Sequence, residues 1–148
     1  MSIRPITILF AEDDDDDFLL ARDAFAEYHL RNDIRRVRDG EELMDYLLRR
    51  NAYADPKKAP APSLILLDLN MPRKDGREAL AEIKAHPTLR RIPIIALTTS
   101  RVEEDILKTY ELGVASYIRK PVTFAQLCEL VKIFQQYWLE IVELPPAP

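Results

Sequence analysis

Four consecutive apolar residues, Leu64 to Leu67, stop abruptly at Asp68, and this run limits the possible folds more than any other stretch of the chain. A strand that is apolar at every position must be covered on both faces, which is the pattern of a central strand in a parallel sheet. The same form recurs. Thr7 to Ala11 (TILFA) stops at Glu12 and a run of aspartates from Asp13 to Asp17. A brief strand from Ile34 to Arg38 runs into the turn signal Asp39-Gly40, Ile92 to Leu97 runs into Thr98-Thr99-Ser100, and Ala115 to Arg119 runs into Lys120-Pro121.

Helical spacing fills the intervals. Phe18, Ala21, Phe25 and Tyr28 share a face within about 16–30, with aspartates at the start where they favour the positive end of the helix dipole. Leu43, Leu47 and Leu48 share another, and further helices are expected over 76–85, over 102–112 closed by Gly113, and over 123–140. Residues 51–62 (NAYADPKKAPAP), with three prolines and two lysines, read as an exposed loop. Five strands alternating with five helices predict an α/β domain with a parallel sheet and right-handed crossovers. Ligands of such sheets sit beyond the carboxyl ends of the strands. Glu12, Asp13, Asp68, Thr98 and Lys120 all fall there.

Composition removes other functions. A length of 148 residues suits one domain, and 47% hydrophobic residues suffice for one core. The three glycines, Gly40, Gly76 and Gly113, are scattered, so there is no glycine-rich loop to cradle a nucleotide. A net charge of -4 provides no field to draw in nucleic acid, and no apolar run is long enough to span a bilayer. The single cysteine, Cys128, cannot form an intramolecular disulfide and reads as a small packing residue of the last helix. With no export signal at the N-terminus, the expected location is cytoplasmic and the expected partners are proteins.

Three carboxylates gathered at one edge repel one another and call for a cation. All-oxygen donors without histidine or cysteine favour a hard ion, and a site that must leave room for phosphate suits partly hydrated Mg2+. Lys120 adds a fixed positive charge and Thr98 a hydroxyl, so an anion with three equatorial oxygens could be held from three sides. These parts match phosphoryl transfer to an ionised carboxylate.

The stretches ILFAEDD, LILLDLNMPRKDG, IIALTTS and SYIRKP resemble, in order and spacing, the motifs of the CheY-like receiver domains of two-component response regulators. The resemblance implies a flavodoxin-like (βα)5 fold with strand order 2-1-3-4-5 and a receiver domain over 1–140 without a DNA-binding output domain. It implies Asp68 as phosphoacceptor for a sensor histidine kinase, Asp13 as a direct Mg2+ ligand, Glu12 acting through water and Asn70 contributing its backbone carbonyl. It further implies Thr98 as the switch hydroxyl, Lys120 as the phosphate-bridging lysine, a cis bond before Pro121, and Tyr117 as the switch aromatic. The insert NAYADPKKAPAP, the phrase PRKDGREALAEIKAHPTLRRIPIIALTTS and the ending YWLEIVELPPAP are similar to the single-domain regulators that pair with bacterial and cyanobacterial phytochrome kinases. Such a protein is a signalling phosphoacceptor and not an enzyme with its own substrate.

Other readings stand beside this one. A calcium loop starting at Asp13 fails, with Phe18 where glycine is needed and Ala24 where glutamate is needed. An aspartate-nucleophile phosphatase would need an acid at Asn70. A pseudo-receiver serving as a phosphorylation-independent adaptor keeps the fold but would not need Asp68, Thr98 and Lys120 together. Asp14 to Asp17 read as a solvated helix start, His29 and His86 as solvated surface side chains, and Asp75-Gly76 as a turn outside the metal site. In the last helix Phe124, Leu127, Leu130, Val131, Phe134, Tyr137, Trp138 and Ile141 cover more than one core-facing stripe. An apolar extension, 141–148, follows. A homodimer through that helix and the extension is the simplest cover.

Overall fold

The computed structural model describes residues 7–27, 33–71, 73–98 and 111–119, together with positions 125, 128, 129 and 132. Strands β1 (Thr7–Ala11), β2 (Asp33–Val37), β3 (Leu64–Asp68), β4 (Ile94–Thr98) and β5 (Ser116–Arg119) alternate with helices α1 (Asp15–Glu27), α2 (Gly40–Leu48) and α3 (Gly76–Ala85). The strands form one parallel sheet in the order β2-β1-β3-β4-β5, as expected. The helical stretches 102–112 and 123–140 fall almost wholly outside the described residues, and the extension 141–148 and His29 lie outside them entirely.

Successive side chains of a strand point to opposite faces, and this alternation sorts the core into two layers. Ile8 and Phe10 of β1 and Leu64 and Leu66 of β3 meet Ala21, Ala24 and Phe25 of α1, with Cys128 packed against the cluster. Leu9, Ala11, Ile65 and Leu67 face the other way, toward Leu43 and Met44 of α2 and Ala79, Leu80 and Ile83 of α3. Fully burying a large apolar side chain is worth about 1.5–3 kcal/mol. Ile8, Leu9, Leu64, Ile65 and Leu67 all are fully buried, so after Thr7 at its start no polar residue interrupts β1, and none interrupts β3 before Asp68.

Strand limits differ from expectation where local hydrogen bonds intervene. β4 begins at Ile94 because Leu89–Arg91 form a 3-10 turn, the Ile92 N–H donates to the Leu89 carbonyl at 3.0 Å, and Pro93 has no N–H for a ladder. β2 ends at Val37 because the Arg38 N–H is taken by the Glu42 side chain. His86 is not simply solvated. Its Nδ1 accepts from the N–H groups of Thr88 at 3.1 Å and Leu89 at 3.2 Å, turning the chain after α3.

The segment 51–62 is exposed over most of its length, as expected of a loop, but it is anchored to the core at points that reading did not foresee. It opens with a 3-10 turn, Asn51–Tyr53, and Ala59 is buried in the core beside Tyr46 while Tyr53 packs against the same cluster. The Tyr46 hydroxyl donates to the Pro60 carbonyl at 2.7 Å, the Tyr53 hydroxyl donates to Glu42 at 3.0 Å, and the two rings lie 5.1 Å apart. Prolines exclude a helix here, but they do not exclude packing when two tyrosines supply both apolar surface and donors.

Burial pushes the Tyr46 hydroxyl up to about 12, and burial together with the hydrogen bond to Glu42 does the same for Tyr53. A raised phenol disfavours ionisation in the folded state. Its contribution to stability is therefore complete below the unfolded value near 10 and is lost as pH rises from there toward 12. Tyr46→Phe is expected to cost about 1 kcal/mol at neutral pH through the lost hydrogen bond. It should also flatten the loss of stability between pH 10 and 12, read by urea unfolding across that range. An unchanged alkaline slope would assign the titration to another group.

Candidate functional site

β1 and β3 are neighbours with Ala11 beside Leu67, so the residue following β1 lies level with the residue that ends β3. Those residues are Glu12, 1% exposed, and Asp68, 2% exposed. Asp13, next in the chain, is exposed. One carboxylate oxygen from each of Glu12, Asp13 and Asp68 lies within 4.8 Å of the others. The backbone beneath them is ordered by the sheet: the Glu12 N–H donates to the Val37 carbonyl at 3.0 Å and the Leu69 N–H to the Leu97 carbonyl at 3.0 Å. The Asn70 N–H donates to Asp68 Oδ1 at 2.9 Å, which sets the rotation of that carboxylate.

Two buried carboxylates with a third close by carry both desolvation and mutual repulsion, and a bound cation relieves both. The donor set is all oxygen, which fits a hard divalent ion.

Thr98 is the last residue of β4, paired with Arg119 of β5, and so stands at the same sheet edge as Asp68, which pairs with Leu97. Tyr117 lies on β5 beside Ala96. The side chains of Thr98 and Tyr117, and the whole of Lys120 and Pro121, lie outside the described residues. Glu12, Asp13, Asp68 and Asn70 are thus brought together, and Thr98 is placed at their edge by its backbone.

The helix starts around the site are capped by their own acids. The Asp17 N–H donates to Asp14 at 3.0 Å, and the Arg77 N–H donates to Asp75 at 2.7 Å, so Asp75 caps α3 instead of joining the acid cluster. A Cβ on Gly76 would lie 2.6 Å from the Asp68 carbonyl oxygen, so glycine is what lets α3 begin against the backbone of Asp68.

Sequence reading missed the arginines that fasten the turn between β1 and α1. Arg36 Nε donates to the Glu12 carbonyl at 3.0 Å, its Nη1 donates to Asp15 at 2.7 Å, and its guanidinium lies 4.8 Å from the centre of the Phe18 ring. Arg38 donates to the same Asp15 oxygen at 2.7 Å. These hydrogen bonds, Arg36 first and Arg38 second, hold the Asp15 carboxyl below the usual carboxylate range. Asp15 is therefore more than a solvated helix start. The alternate spacing of Arg36 and Arg38 does put them on one side of the strand. Only the pairing of β2 with β1 shows which acid they meet.

Fold and site together place the chain among the doubly wound α/β proteins whose ligand site lies at the carboxyl edge of the sheet. It belongs to the response regulator receiver domain family, which it matches over residues 8–132. It is 41% identical over 143 residues to the response regulator Rcp1 of a Synechocystis species, covering 97% of this chain and 95% of the relative. The Mn2+-bound form of Rcp1 superposes with a TM-score of 0.86 over 96% of this chain and all of that one. The phosphorylated cyanobacterial phytochrome response regulator RcpA is 44% identical, with a TM-score of 0.88 over 97% of this chain and 100% of its own. A response regulator in red light signalling of R. palustris is 38% identical, with a TM-score of 0.90 over the same shares. The chain is thus a response regulator receiver, homologous to phytochrome response regulators.

Proposed function

We propose that the protein accepts a phosphoryl group on Asp68 from a sensor histidine kinase of the phytochrome type, in a Mg2+-dependent reaction, and signals through protein contacts. The observation that carries this is the meeting of Glu12, Asp13 and Asp68 carboxylate oxygens within 4.8 Å at the carboxyl edge of the sheet. The Mn2+ bound by Rcp1 and the phosphorylated state of RcpA support it. On this reading Asp13, Asp68 and the Asn70 carbonyl would hold Mg2+, and Glu12 would add its negative charge beside them. Mg2+ bound there supplies positive charge that offsets the carboxylates and attracts the phosphoryl oxygens.

The transfer itself is a substitution at phosphorus. An Asp68 carboxylate oxygen forms the new P–O bond while the P–N bond to the kinase's histidine breaks, and that imidazole leaves neutral after taking up a proton. The Asn70 N–H at Asp68 Oδ1 keeps the carboxylate from turning away, so less of the barrier is spent on orientation. Lys120 and the Thr98 hydroxyl complete the phosphoryl cradle. Thr98 drawn toward the phosphoryl group then lets Tyr117 turn inward. The chain catalyses only its own phosphorylation and dephosphorylation, works in the cytoplasm, and binds neither nucleic acid nor membrane.

Incubation with Mg2+ and acetyl phosphate, followed by intact mass, is expected to show a gain of one phosphoryl group that EDTA prevents. No gain with Mg2+ present would favour the phosphorylation-independent adaptor. The last helix and the extension 141–148 are read as a dimer arm. Light scattering of the full chain is expected to show a dimer and that of a chain ending near Glu140 a monomer; dimers in both would remove the arm from the assembly.

A further inference from the structure

The loop between β3 and α3, which carries Asn70, is fastened at two points to the N-terminus of α2, and the proposed chemistry uses neither. The Gly40 N–H donates to the Lys74 carbonyl at 3.1 Å. A Cβ on residue 40 would lie 2.2 Å from that carbonyl oxygen and 2.7 Å from the Lys74 Cβ. No side chain fits there, so the loop reaches α2 only because residue 40 is glycine. One position earlier, Asp39 caps α2 by accepting from the Glu42 N–H at 2.8 Å and faces the Arg73 guanidinium at 3.6 Å.

Arg73 has φ 62, the left-handed region that a residue with a Cβ enters at a cost. Such a conformation persists where its surroundings hold it. The surroundings here are Asp39 on one side and the Gly40 to Lys74 bond on the other. The other end of the loop closes on the acid cluster, with the Gly76 N–H donating to the Leu69 carbonyl at 3.2 Å and the Asn70 N–H to Asp68 at 2.9 Å. The Arg73 side chain is largely exposed, so its ion pair is the weaker tether, and the Gly40 contact dominates.

We infer that Gly40 and, secondarily, Asp39 are positioning residues for the metal site, holding the β3 to α3 loop so that Asn70 presents its carbonyl beside Asp68. The inference rests on the reading of Asp68 and Asn70 as metal ligands. Mg2+ demands nearly ideal octahedral geometry, so a loop displaced by the width of one methyl group cannot simply follow the ion.

The test uses the full chain and compares Gly40→Ala and Asp39→Asn with Ile83→Val, a core truncation of α3 that touches neither tether contact. Calorimetric Mg2+ titration gives affinity, urea unfolding in EDTA gives stability, and acetyl phosphate labelling is followed against Mg2+ concentration. Gly40→Ala is expected to raise the Mg2+ dissociation constant about tenfold, the range for losing an outer-shell partner. Its labelling rate should recover at saturating Mg2+. Asp39→Asn keeps the cap acceptor and should weaken binding less, while Ile83→Val should lose stability with affinity unchanged.

Wild-type Mg2+ affinity in Gly40→Ala, or an equal weakening in Ile83→Val, overturns the inference. If Gly40→Ala does not fold, Asp39→Asn and Arg73→Ala carry the test, and unchanged affinity in both overturns it. A wild-type chain that neither binds Mg2+ nor is labelled removes the phosphoacceptor reading and this inference with it. Tight wild-type binding matched by the variants removes the inference alone.

Discussion

Asp68→Asn is expected to take up no phosphoryl group from acetyl phosphate, with labelling falling below detection by intact mass while the fold is kept. The amide is nearly isosteric and its oxygen can still accept from the Asn70 N–H that now holds Asp68 Oδ1 at 2.9 Å. It is a poor nucleophile, however, and it withdraws one negative charge from the cation site. Asp68 is 2% exposed beside the equally buried Glu12. Neutralising it lowers the repulsion of the metal-free protein, so urea unfolding in EDTA should show stability unchanged or higher. Labelling of Asp68→Asn at the wild-type rate would show that another group accepts the phosphoryl.

Asp13→Asn is expected to weaken Mg2+ binding by at least the roughly tenfold that loss of an outer-shell partner costs, and to slow labelling at limiting Mg2+. Asp13 is the exposed member of the cluster, so the amide is accommodated without repacking and the effect reads on charge. The stability order should reverse with metal. In EDTA the variant gains from reduced repulsion, whereas in saturating Mg2+ the wild type gains more, since a ligand at free concentration L that binds only the folded state stabilises it by RT ln(1 + L/Kd), which is larger for the tighter binder. Urea unfolding under both conditions, alongside a titration, checks this. Equal Mg2+ affinity in variant and wild type would mean that the ion sits elsewhere.

Two neighbouring elements hold the backbone around the acid cluster. Arg36 holds the Glu12 carbonyl from β2, and Gly40 holds the Lys74 carbonyl from the start of α2. Both come from the same edge of the sheet, which makes the β2 to α2 region a support for the acid cluster although it contributes no carboxylate to it.

Local patterning marks which residues end the strands, and so which acids can share one edge of a parallel sheet. An unbroken apolar run as short as Leu64 to Leu67, bounded by Pro62 and Asp68, reads as a strand buried on both faces, and its first polar residue falls where the strand ends. Such short-range regularities place Glu12, Asp13, Asp68 and Thr98 on one edge before any contact is known. How residues without a period are used came from long-range packing. Residues 51–62 carry no apolar repeat, yet Tyr46 and Tyr53 draw Ala59 and Pro60 against the core. Asp39-Gly40 has the composition of a turn, but the glycine is required by the approach of Lys74, a residue 34 positions away whose distance from it no local pattern encodes. Arg36 and Arg38 find Asp15 because β2 lies beside β1, and strand order is a property of the whole sheet. Periodicity reports what a segment buries. Which partner buries it depends on the chain returning to the same place.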